Sequence, residues 1–176
     1  MIISHSKKFI LFSPWKTASS TTNTRLNSYN QSPYSSFFHF NKNLNRIVHQ
    51  HMICADFMSL PERKLKYLLG SFVRNPYDKV YSGFQQLQKD LKNQPSFEYE
   101  SPWVMNHVMR QLSENSAQLR QAQYDFDGWV TLLTEEQIYE AGRNSNFPLH
   151  PAHYWTHIAD KKYRIKLQKI YKIENT

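Results

Sequence analysis

Phe9-Ile10-Leu11-Phe12-Ser13-Pro14-Trp15-Lys16-Thr17-Ala18-Ser19-Ser20-Thr21-Thr22 is the stretch that decides the fold. Its first four residues form a short, continuous apolar run, the pattern of a strand buried on both faces of a parallel sheet. Ser13-Pro14 ends the run, and the Ser/Thr residues after Lys16 are good helix N-caps. Strand, turn and helix in that order aim backbone N–H groups and a helix N-terminus at one point, which makes a phosphate site. Lys16 adds a point charge there. Thr17, Ser19, Ser20, Thr21 and Thr22 add hydroxyl donors around Ala18. The stretch is not a Walker A loop, because the G-x-x-x-x-G-K-[ST] spacing is absent and Lys16 precedes the small residues. Taken alone, it reads equally well as a Ser/Thr-rich turn beside a surface lysine.

Outward from this stretch, strand and helix patterns alternate. Residues 27–45 are rich in Asn, Ser and Tyr and read as a surface loop or short irregular elements. Arg46-Ile47-Val48 reads as a second short strand, and Asp56 to Arg63 as a turn followed by a short helical stretch. Tyr67 to Val73 is mostly apolar, is bounded by Asn75-Pro76, and reads as a central strand. Pro76 suits the first turn of a helix. Tyr77, Val80, Tyr81, Phe84 and Leu87 then recur at three- and four-residue spacing, which predicts an amphipathic helix. Ser101-Pro102 opens a further helix, whose stripe Val104, Met105, Val108, Met109 and Leu112 reads as core. Thr134-Glu135-Glu136-Gln137 is a capping-box pattern, and Gly142 can close its helix. Lys169 to Ile173 reads as a last strand. The expectation is a single α/β domain over residues 1–176, with a central parallel sheet flanked by helices.

Composition narrows the partner class. The 176 residues carry 22 Lys and Arg against 14 Asp and Glu, a net charge of +8, which favours anionic ligands. Nucleotides, acidic sugars and nucleic acid all fit that field, but no nucleic-acid motif is present and the basic residues are dispersed. Aromatic residues make up 15% of the chain, enough to fill a core and also to stack on a base or a sugar. Cys54 is the only cysteine, which excludes an internal disulfide framework and a Cys-based zinc cage. No apolar run approaches the roughly 18 residues of a membrane span. Phe9 to Phe12 is too short for a signal-peptide core. The expected location is cytoplasmic, with the Golgi lumen as the alternative for a chain trimmed from a longer one. Nothing in the sequence sets the oligomeric state.

A second constellation is Ser71-Phe72-Val73-Arg74-Asn75-Pro76-Tyr77-Asp78-Lys79-Val80-Tyr81-Ser82. Arg74 ends the central strand, and Ser82 lies about two turns into the next helix. Both can converge on one anion near the carboxyl ends of the strands, where open α/β sheets bind ligands. An arginine fork suits a phosphate there.

With both constellations present, the sequence resembles the PAPS-dependent sulfotransferases, which use 3′-phosphoadenosine 5′-phosphosulfate as donor. Lys16-Thr17-Ala18-Ser19-Ser20-Thr21 is similar to the 5′-phosphosulfate loop, P-K-T-[AG]-[ST]-[ST]-[ST]. Val73 to Ser82 is similar to the 3′-phosphate motif, R-[ND]-P-x-x-R-x-x-S. The resemblance implies a P-loop-like sulfotransferase fold and an enzyme that passes a sulfuryl group from PAPS to an acceptor hydroxyl, leaving PAP, without a metal. It implies that Lys16 and the backbone from Thr17 to Thr22 hold the 5′-phosphosulfate, while Arg74 and Ser82 hold the 3′-phosphate.

His49-Gln50-His51 would place two histidines on one side of a strand. No third ligand is spaced nearby for a metal, and ordinary strand-end histidines are the simpler reading. The motif is similar to the H-x-H of heparan sulfate 2-O-sulfotransferase and the uronyl sulfotransferases. That likeness implies His51 as the base, His49 as its neighbour, and a carbohydrate hydroxyl as the acceptor. Residues 147–155 more weakly resemble the family's acceptor loop, and imply His153 and Tyr154 as substrate contacts. The sequence departs from the family pattern in having Trp15 before Lys16, Lys79 for the second arginine, and no helix after the last strand. Two other classes remain open: a nucleotide-dependent kinase, and a non-catalytic module that binds PAP or polyanions.

Overall fold

The computed structural model describes residues 1–14, 16–34, 38–42, 45–49, 51–52, 54–93, 102–133 and 167–173. Four strands form the main sheet: β1 (Ile2–Ser4), β2 (Phe9–Phe12), β5 (Leu68–Arg74) and β6 (Lys169–Ile173), in the order β1-β2-β5-β6. β2, β5 and β6 run parallel, with Phe12 opposite Ser71 and Arg74 opposite Ile173. β1 is antiparallel to β2, so the sheet is mostly parallel and not wholly so. Sequence reading missed β1 because three residues are too few to show a period. It exists because a turn with Lys8 at φ 55° folds Ile2 and Ile3 back against Leu11 and Ile10.

Helices flank this sheet. α1 (Ser19–Leu26) follows β2, with a 3-10 turn at Asn27–Tyr29. α2 (Cys54–Ser59) precedes a 3-10 turn at Pro61–Lys64. The regular helix therefore comes before Leu60-Pro61, the reverse of the expected order, because Pro61 cannot continue it and instead opens the next turn. α3 (Pro76–Asn93) follows β5, and α4 (Pro102–Gln121) and α5 (Phe126–Thr131) come after it. The Arg46–Val48 strand is present as β4 (Arg46–His49). It pairs antiparallel with β3 (Phe38–Asn41) in a separate two-stranded sheet. β3 lies in a stretch that sequence reading left irregular.

The register explains the apolar run. Ile3, Ile10 and Leu69 lie side by side on one face, and with Met1, Phe12, Met52, Phe57 and Leu60 they form one core. Ile2 and Leu11 alternate to the opposite face and are buried as well. Phe12 meets Phe57 edge to face at 5.2 Å, joining β2 to α2. Full burial of a side chain such as Ile10 contributes roughly 1.5–3 kcal/mol.

A second core joins α3, α4 and α5 through Phe84, Leu87, Leu119, Ala122 and Trp129. Asp125 accepts from the Gly128 N–H at 2.8 Å and caps α5 over it. The α3 stripe is buried at Phe84 and Leu87, whereas Tyr77 and Tyr81 at its margin are exposed. Met109, expected in the core, is exposed: the buried described residues of α4 are Asn115, Ser116 and Leu119, further along the helix. The Thr134–Gln137 capping box and Gly142 lie outside the described residues. No helix among the described residues is long and apolar enough to cross a membrane.

Candidate functional site

The loop after β2 is built by side chains that turn back onto its own backbone. Thr17, fully buried, donates its hydroxyl to the Pro14 carbonyl at 2.8 Å and closes the turn. Lys16 has φ 59° and Ala18 has φ 54° and ψ 30°, both left-handed. A non-glycine residue in that region costs on the order of 1–2 kcal/mol, so tertiary packing holds this loop in shape. Ala18 occupies the N-cap position of α1 and provides no side-chain cap, and no acidic residue stands in the first turn. The leading N–H groups of α1 thus meet a left-handed turn, an arrangement that favours an anion.

The hydroxyls divide unequally. Thr22 directs both its N–H and its hydroxyl to the Ala18 carbonyl, each at 3.0 Å. The Thr17 and Thr22 hydroxyls are thus turned onto loop carbonyls, those of Pro14 and Ala18. Ser19 is buried at the head of α1, and Ser20 and Thr21 are exposed.

β5 runs past the end of β2 and carries Arg74 alongside this loop. The Arg74 Nη1 donates to the Lys16 carbonyl at 3.3 Å, so the two motifs meet at one place. Asn75 then starts α3: its side chain accepts from the Tyr77 N–H at 2.9 Å and its carbonyl from the Lys79 N–H at 3.0 Å. Lys79, Ser82 and Gln86 fall within roughly a 60° arc of α3 at about 100° per residue. Gln86 Oε1 accepts from the Lys16 Nζ at 3.4 Å, which turns this polar stripe, Ser82 included, toward the loop.

His51 lies beyond the end of β4, in a bend and not on the strand. The expected i, i+2 pairing with His49 along a strand is therefore absent, because β4 stops at His49. The His49 side chain lies outside the described residues. His51 is 3% exposed, and its Nδ1 is 2.6 Å from the Ser13 carbonyl. A carbonyl only accepts, so Nδ1 carries the proton and Nε2 of the neutral ring is the acceptor. Burial pushes the imidazole from its ordinary 6.5 down to about 3. The Ser13 bond opposes that fall, while the terminal amino group, Lys79 and Lys16 reinforce it by like charge. Lys79 is 1% exposed, and burial lowers its ammonium well below the ordinary lysine range.

The structure brings Lys16, Arg74 and His51 to one loop, where Gln86, which sequence reading did not name, also reaches, and it buries Lys79, which sequence reading noted only in place of the motif's second arginine. The signal for these two was the spacing Lys79-x-x-Ser82-x-x-x-Gln86, which sets three polar residues along one line of α3. Trp15, His153 and Tyr154 lie outside the described residues. Among the described residues, no group of three or more His, Cys, Asp or Glu is placed to hold a metal. Comparison of the chain with protein-family models, with curated proteins and with solved structures gives no match.

Proposed function

We propose that the chain is a PAPS-dependent sulfotransferase of a P-loop-like fold, acting on an acceptor hydroxyl, with a carbohydrate as the preferred class. The observation that carries this reading is the meeting of Lys16 and Arg74 at 3.3 Å across two parallel strands. One cationic arm, Lys16 with the leading N–H groups of α1, suits the 5′-phosphosulfate. The other, Arg74 with Ser82, suits the 3′-phosphate that separates PAPS from ATP-like ligands.

Sulfuryl transfer asks the protein mainly for positioning and for charge stabilisation. The acceptor oxygen forms a bond to sulfur as the bond from sulfur to the 5′-phosphate oxygen breaks. Nε2 of His51 takes the acceptor proton, and the Ser13 carbonyl holds the ring in the tautomer that can do so. The electron pair of the broken bond stays on the leaving phosphate, where Lys16 and the α1 N–H groups stabilise it. In the ligand-free protein His51 is a weak base, held down by burial and by Lys79 and Lys16. A bound polyanion offsets the like-charge part of that shift and leaves the part due to burial, which is the larger.

The test is a calorimetric titration with PAP and with ATP plus magnesium, followed by turnover with PAPS. PAP binding with little response to ATP is the expected result, together with loss of transfer in K16A. H51A should keep PAP affinity and lose turnover. A tighter response to ATP with magnesium supports a kinase instead. Salt-sensitive binding to any polyanion without response to PAP points to a non-catalytic module.

A further inference from the structure

The amino ends of β2 and β5 gather positive charge that the sequence shows only as dispersed lysines. Lys7 and Lys8 belong to the turn between β1 and β2, whose residues His5, Ser6, Lys7 and Lys8 are all exposed. β2 and β5 pair in parallel with Phe9 opposite Leu68, and the Leu68 N–H donates to the Lys8 carbonyl at 2.9 Å. Exposed Lys66 therefore enters the sheet beside Lys7 and Lys8. Among the described residues no carboxylate pairs with these three lysines, and Glu62, the nearest to Lys66 in sequence, accepts from the Tyr34 hydroxyl at 3.1 Å. The turn is fixed by its neighbours. Gln31 Oε1 accepts from the His5 and Ser6 N–H groups at 2.9 and 3.2 Å, and Ser4 Oγ accepts from the Lys7 N–H at 3.2 Å. Lys8 has φ 55°, a left-handed conformation that glycine or asparagine adopts with less strain. A lysine there keeps a charge at the turn in spite of that strain.

We propose that Lys7, Lys8 and Lys66 form a docking surface for an acidic polysaccharide, held through its carboxylate or sulfate groups. The surface lies at the end of the sheet opposite the candidate site: β5 runs from Leu68 to Arg74, a rise of roughly 20 Å. The inference goes beyond the donor assignment and stands without it. Charge complementarity argues for a polyanion, and a turn already ordered loses less entropy when it binds one. The local aromatics argue for a polyanion without bases. The Lys7 ammonium lies 5.9 Å from the centre of the Tyr29 ring, and His5 meets Tyr67 edge to face at 5.8 Å with its Nδ1 3.1 Å from the hydroxyl. Both rings are thus engaged by groups they would have to release before stacking on a nucleobase. His5-Ser6-Lys7-Lys8 also offers no apolar side chain to enter a bilayer. What remains is an array of ammonium groups with polar neighbours, which suits a chain of spaced anions and hydroxyls.

The test is calorimetric titration with a heparin oligosaccharide, an oligo-dT of equal charge and phosphatidylserine vesicles, over a range of salt. The triple variant K7Q/K8Q/K66Q should bind the oligosaccharide roughly 10–100-fold more weakly than wild type at low salt, with the slope of log K against log salt reduced by about 2–3. K89Q/K92Q/R120Q removes the same charge from exposed positions on α3 and α4 and should lose far less. Equal losses in the two triple variants mean attraction by net charge alone and overturn the proposal, as does a loss confined to K16A. Tighter binding of oligo-dT or of the vesicles, lost in K7Q/K8Q/K66Q, overturns the polysaccharide as partner. Titration with PAP keeps the two readings apart: the patch variant should bind PAP as wild type does, and a wild type that ignores PAP yet binds the oligosaccharide through the patch removes the donor assignment alone. Should the triple variant fail to fold, K7Q/K66Q, which leaves the strained position untouched, is read by the same titrations.

Discussion

Lowering the pH from 7.5 to 4 places a growing load on His51, and its size follows from where the ring sits. The folded protein holds the imidazole at about 3 against an ordinary 6.5. Between those values the unfolded chain binds a proton that the folded chain refuses, so stability falls as the pH falls. Above 6.5 both states are neutral and the group contributes no slope. Below it each pH unit costs ~1.4 kcal/mol until the folded ring titrates. At pH 4 the loss from this one residue is about 3 kcal/mol, a large share of the stability of a typical domain. The sign reflects burial first, with Lys79, Lys16 and the terminal amino group adding like-charge repulsion against the Ser13 hydrogen bond. The assay is urea unfolding followed by tryptophan fluorescence, on wild type and on H51N, whose amide can still donate to the Ser13 carbonyl. Subtracting the two cancels the titration of distant carboxylates. The wild-type advantage at pH 7.5 should shrink by about 3 kcal/mol by pH 4 and can reverse. Parallel curves for the two proteins over that range would refute the argument, since a ring free to protonate in the fold gives no differential slope.

The loop predicts two further outcomes. T17V removes the hydroxyl that closes the turn onto Pro14 and leaves a buried carbonyl unsatisfied. It should cost about 1–3 kcal/mol in chemical denaturation and, on the proposed donor assignment, also weaken PAP binding, because the same turn positions the leading N–H groups of α1. A18V places a β-branched side chain at φ 54° and should cost about 1–3 kcal/mol, read as a lowered Tm. Full stability in A18V would mean that the loop does not hold that conformation.

Local signals along the chain determined most of the scaffold. Phe9–Phe12 and Lys169–Ile173 are strands with the bounds read from their residues, and Leu68–Arg74 is shifted by one residue from its reading. α3 starts at Pro76, where proline suits a first turn and Asn75 caps it. These features depend on neighbours within a few residues, so hydrophobic period and turn chemistry suffice to read them. The same locality made the turn at Lys16 and the helix opened by the small residues after it legible. What tertiary structure alone decided has longer range. Lys16 meets Arg74 across 58 residues and Gln86 across 70, and His51 meets Ser13 across 38. The pairing of β1, the removal of His51 from its strand and the burial of Lys79 depend on which distant segments pack against them. A lysine at the start of a helix looks solvated in one dimension, and only the surrounding packed elements bury it.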